Sequence, residues 1–147
     1  MKSFRELEVW QLGMALTRDV YGLLQTFPAE ERFALCDQVR RSAVSVVSNV
    51  AEGFGRESTR DFIHFLSMSR GSLFELSTQL ELAEMLGYCT MSSELKEKLE
   101  RVGMMLNALS SKLKSRLSNA NHEPRATNHE GPKLSNANHE PRATNHE

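Results

Sequence analysis

Apolar residues at alternating steps of four and three recur in three separate stretches of this chain, and few folds satisfy that pattern. Val9, Gly13, Leu16, Val20, Leu23 and Phe27 follow it first. Phe62, Leu66, Ser69, Leu73, Leu76, Leu80 and Ala83 follow it next, and Leu95, Leu99, Val102, Leu106, Leu109 and Leu113 last. Such spacing lays one stripe along a helix and turns it toward a neighbour at a shallow crossing angle. A fourth stretch, Gln38–Arg56, splits at helical period into two faces. Val39, Ala43, Val44, Val46, Val47, Val50, Ala51 and Phe54 share one arc, and Arg41, Ser42, Ser45, Ser48, Asn49, Glu52 and Arg56 share the other. Propensity alone would not choose a helix for a Val/Ser-rich run; periodicity does. Short connections around Pro28, Gly53–Ser58 and Gly87–Ser93 predict antiparallel neighbours. The expected fold is all-α, an up-down-up-down antiparallel four-helix bundle.

The predicted bundle covers residues 4–117. Beyond it, LSNANHEPRATNHE occurs twice with little apolar content, so residues 118–147 are expected to form a disordered tail carrying a duplicated repeat. Pro28 and the Gly53–Gly55 pair are expected to stop helices, and Ser58 and Ser92 or Ser93 to cap the next ones.

Charge bounds the function. The 147 residues hold 18 Lys and Arg against 19 Asp and Glu. No large basic surplus announces a polyanion partner, so RNA contact would need local clustering. Arg40 and Arg41 open the second helix, and Arg56 and Arg60 bracket the turn that follows it. These four are the candidate RNA-binding residues, forming two small patches. Glu52, Glu57 and Asp61 lie among them, and solvated arginines paired with acids are the competing reading. No aromatic platform for base stacking stands out between the arginines, so binding is expected to be backbone-led and salt-sensitive.

Catalysis and cofactors find no support. Cys36, Ser45 and Ser48 have no histidine at helical spacing to act as base. His64 falls off the apolar stripe, and no Glu-x-x-His occurs in the helical region. The tail histidines, His122, His129, His139 and His146, lie too far apart to form a preformed metal site. No catalytic residue, metal, cofactor or small-molecule substrate is expected. MKSFRELEVW lacks the apolar core of a signal peptide, and no apolar run nears the ~18 residues of a membrane span. Cys36 and Cys89 read as reduced thiols in a cytoplasmic protein.

Two features concern packing. The small polar face of the Gln38–Arg56 helix is either wet or packed on a neighbour, with Ser45, Asn49, Glu52 and Arg70 forming a buried polar network. Ile63, Phe74 and Met85 lie on the third helix off its core stripe, a candidate oligomer contact.

Several blocks, in order, carry a family resemblance: LEVWQLGMALTRDVY, FPAEERFAL, RRSAVSVVSNVAEGFGR and FIHFLSMSRGSLFELSTQLELAEMLGY. Together they resemble the four-helix bundle family encoded in intervening sequences of bacterial 23S rRNA genes, with accessory proteins of diversity-generating retroelements as more distant relatives. The resemblance implies a homo-oligomeric ring, often a pentamer, that contacts RNA or a nucleic-acid enzyme such as a reverse transcriptase. It brings no catalytic residue, and it favours the packed reading of the Asn49–Gly53 face. The functional expectation is a non-catalytic, RNA-associated oligomer, against a protein-interaction scaffold without nucleic acid.

Overall fold

The computed structural model describes residues 1–122, which form four α-helices and two single-turn 3-10 helices. The helices are α1, Glu8–Leu24; α2, Leu35–Phe54; α3, Thr59–Met85; and α4, Ser93–His122. No strand occurs among the described residues. Each helix touches the next and α4 returns to α1, which closes a four-helix bundle. Paired residues fix the directions. On α2 and α3, Ser42 meets Glu75, Ser45 meets Ser72 and Val46 meets Ser69. On α1 and α2, Gly13 meets Val47 and Thr17 meets Ala43. On α3 and α4, Glu84 meets Lys96 and Leu73 meets Gly103. One number rises as the other falls in each pair, so neighbours run in opposite directions.

The stripes form the core. Leu16, Val20, Val39, Val50, Leu66, Leu76, Leu80, Val102 and Leu106 are all essentially sealed from solvent. Helix boundaries follow local chemistry. The Ser58 hydroxyl accepts from the Asp61 N–H at 3.3 Å and the Ser92 hydroxyl from the Leu95 N–H at 3.1 Å, so both expected caps form. After α3 the chain turns through Gly87 at φ +76°, with Tyr88 N–H on the Ala83 carbonyl and Gly87 N–H on that of Glu84. That pair of bonds is a Schellman cap, which favours glycine at the left-handed position.

Three expectations are corrected. Gly53 is no helix stop: it lies within α2, and the cap is Gly55 in right-handed backbone at φ −76°. The buried arc of α2 is wider and rotated, because the helix packs on both α1 and α3. Ser42 and Asn49 are therefore buried, while Val44 is 42% exposed. At the far end, α4 runs past Leu117 to His122, so the tail's first residues are helical. The repeats from residue 123 onward lie outside the described residues.

Ser69 ties α3 to α2. Fully buried, its hydroxyl donates to the Val46 carbonyl at 2.6 Å. Ser69→Ala removes that donor but leaves the carbonyl its helical partner, so a loss of about 1 kcal/mol is expected in urea unfolding. No change would mean the bond contributes nothing net.

Candidate nucleic-acid interface

The α2–α3 corner depends on a missing side chain. A Cβ on Gly53 would lie 2.7 Å from the Phe65 Cβ and 2.9 Å from a Phe62 ring carbon. Without it, α3 closes onto the end of α2. Phe62 turns inward and meets Phe54 edge-on at 6.1 Å. Phe65 stays half-buried and outside the core cluster. Arg56 covers Phe65, its guanidinium carbon 4.8 Å from the ring centroid, and an Arg56 Nη is 2.9 Å from Glu52 Oε1. Arg60 and His64, one turn apart on α3, are exposed beside this pair, and His64 meets the Phe65 ring edge-on.

Helix α4 adds charge at the same end. The pairing of Glu84 with Lys96 and of Leu73 with Gly103, continued along both helices, sets Arg60 level with Arg116. Leu113 is still buried there, so α4 remains on the bundle. Lys112, Lys114 and Arg116 are all exposed. Lys2 and Arg5 also belong to this end, because α1 begins where α2 finishes. The opposite end carries Glu30, Glu31, Glu81, Glu84, Glu94, Glu97 and Glu100, partly offset by Arg32, Arg40, Lys96, Lys98 and Arg101. Glu6, Glu8, Glu52, Glu57 and Asp61 share the basic end, so the chain is only mildly polarised along its length.

The candidate residues divide accordingly. Arg56 and Arg60 lie together at the basic end. Arg40 is near the acidic end and committed, with Nη1 2.9 Å from Asp37 and also donating to the Arg32 carbonyl. Arg41 is exposed in a polar depression with Gln38, Ser42, Ser45, Ser72, Glu75 and Gln79. Reading along the sequence missed Lys112, Lys114 and Arg116, since only antiparallel register brings α4 to the α2–α3 turn. The visible signal was the basic run KLKSR, in which Lys112 and Arg116 are one turn apart. It also missed the half-exposed ring of Phe65.

The expected network forms only in part. Asn49 Nδ2 donates to the Ser45 carbonyl at 2.8 Å and to its hydroxyl at 2.9 Å, and the Ser45 and Ser72 hydroxyls meet at 2.7 Å across α2 and α3. Glu52 and Arg70 do not join it within the chain. Glu52 pairs with Arg56 one turn along its own helix, and Arg70 lies over the Phe74 ring at 5.3 Å. Their positions explain this: Glu52 is near the α2–α3 turn, whereas Arg70 is well beyond it along α3.

The candidate oligomer contact is also split. Ile63 is half-buried against the core. Phe74 and Met85 are 56% and 84% exposed. Phe74 lines a groove between α3 and α4 with Leu73, Met91, Leu99 and Met104.

Residues 5–108 match the family described as 23S rRNA-intervening sequence protein. The chain belongs to that family. No protein of curated function matches it in sequence. A crystal structure of a protein of unknown function from the S23 ribosomal protein family of Bacteroides thetaiotaomicron shares its fold, with a TM-score of 0.53 at 23% identity, covering 74% of this chain and 97% of the other. Neither match indicates a catalytic activity.

In this family member, no group of His, Cys, Asp and Glu able to hold a metal occurs among the described residues. Burial pushes the Cys36 and Cys89 thiols above the usual cysteine range, which disfavours the reactive thiolate. No described helix is long and apolar enough to cross a membrane.

Proposed function

We propose that the chain is a non-catalytic, homo-oligomeric scaffold of the cytoplasm that holds RNA by its phosphate backbone. The supporting observation is that Arg56, Arg60, Lys112, Lys114 and Arg116 lie at one end of a bundle whose other end has a modest excess of acidic residues. Arg60, Lys112, Lys114 and Arg116 are exposed at this end and can engage phosphates, whereas Arg56 is already paired with Glu52. A ring would repeat the corner and convert weak contacts into avidity.

The reading is tested by filter binding of structured ribosomal RNA fragments across a salt series. Affinity should fall with salt, and Arg60→Ala should weaken it more than Arg40→Ala, because Asp37 already neutralises Arg40. Binding indifferent to salt and to both substitutions would sink it.

A second reading, a protein-interaction module, is favoured by the α3–α4 groove of about 610 Å³, whose apolar floor is bordered by Glu81, Glu84 and Glu100. Self-association through Phe74 unites the readings. Light scattering should give several times 16.6 kDa. Phe74→Asp should reduce that to one chain without loss of helical circular dichroism, since a charge buried at a contact is costly and the core is untouched. A wild-type monomer at tens of micromolar would remove the oligomer from the proposal.

A further inference from the structure

The geometry points to Arg56 as a stacking platform for an unpaired RNA base, so the basic end selects single-stranded nucleotides over duplex. The inference rests on the RNA reading above and names the form of RNA the site takes.

Arg56 is held on two sides. Its guanidinium carbon lies over the Phe65 ring, 4.8 Å from the centroid, and an Nη donates to Glu52 Oε1 at 2.9 Å. The group is accessible: 46% of the Arg56 side chain is exposed. A planar, always-charged group restrained on two sides presents a flat cationic surface, with part of its ordering cost met before RNA arrives. Arginine planes and aromatic rings are the surfaces on which splayed-out RNA bases stack. Phe65 is available for support because it is the phenylalanine of this corner that the core does not use, whereas Phe54 and Phe62 pack against the core. The missing Cβ of Gly53 is what brings Phe65 close enough to α2 to lie beneath Arg56.

The surrounding charge suits a short stretch of strand. Arg60 is exposed in the first turn of α3, beside the platform, where it can meet a phosphate flanking a stacked base. Glu57 and Asp61 are exposed next to Arg60 and offset part of its charge. Base stacking therefore has to add to a modest phosphate grip, and a duplex, whose bases are already stacked, cannot supply it.

The test uses the full chain, a single-stranded RNA containing 2-aminopurine and a duplex of equal length, read by anisotropy and by 2-aminopurine emission. Wild-type binding should quench the emission of the single strand. Arg56→Lys keeps the charge and loses the plane. It should weaken single-strand binding about ten-fold, within the range for losing one base stack, abolish the quenching, and leave duplex binding and the salt slope unchanged. Phe65→Leu should repeat this pattern, and Arg60→Gln should instead lower the salt slope on both RNAs. Equal loss on both RNAs for Arg56→Lys, or binding without quenching, would overturn the platform and leave the RNA reading standing. Wild type binding neither RNA at low salt would overturn that reading and the platform with it.

Discussion

Gly53→Val is expected to destabilise the bundle by about 3 kcal/mol, the upper part of the range for overpacking a tight contact. The site has no room. A Cβ there meets the Phe65 Cβ at 2.7 Å, and that atom is fixed to the α3 backbone and cannot rotate away. Valine adds two methyl groups beyond the Cβ, so the helices must part at the α2–α3 corner. The substitution also removes a glycine from the last turn of α2, which in open space would be a gain of at most a few tenths of a kcal/mol. Gly71 provides that comparison. It lies within α3 with nothing within 4 Å of an added Cβ. Gly71→Ala should therefore stabilise by about 0.5–1 kcal/mol. Urea unfolding of both variants beside wild type separates contact from propensity. If Gly53→Val and Gly71→Ala moved the midpoint in the same direction, the close approach of α2 and α3 would not be a stability determinant.

The second large effect concerns RNA. Replacing Lys112, Lys114 and Arg116 together by alanine should lower the magnitude of the log–log salt slope by about 0.7 for each phosphate no longer neutralised, hence by about 2 if all three engage. The melting temperature should hardly move, because all three side chains are exposed. The matched control removes three charges at the acidic end, Lys96→Ala with Lys98→Ala and Arg101→Ala. Lys98 pairs with Asp19, and Lys96 lies 4.0 Å from Glu84. That variant should leave RNA affinity and its salt slope at wild-type values. Equal losses from the two variants would mean that affinity follows total charge and that the basic end has no special role.

The α-helical class of this chain, its helix number and most of its core were legible because each depends on short-range periodicity. Leu66, Leu73, Leu76 and Leu80 repeat at steps that only a helix brings to one side, and all four are buried. Ser58 and Ser92 cap helices as their positions relative to the following turn suggest. The polar face of α2 was less legible. A two-arc reading assigns each residue to core or solvent, yet α2 packs on two neighbours, so Ser42 and Asn49 are enclosed and Val44 is not. Gly53 gave the same signal as a helix-ending glycine, although its role is to admit Phe62 and Phe65 from a different helix. The arginines were visible one by one, but sequence order grouped Arg56 with Glu52 and Arg60 and left α4 out.

By itself, then, the sequence determined the helices and the stripe each one buries, because hydrophobic period, capping and turn residues act over a few positions of chain. Only the tertiary structure decided which surfaces meet. The antiparallel packing of α4 on α3 brings the C-terminal part of α4 to the end of the bundle where α3 begins, and the contact at Gly53 brings Phe65 under Arg56. Such pairings join residues remote in sequence, and their energies come from shape and charge across helices, which no local pattern encodes.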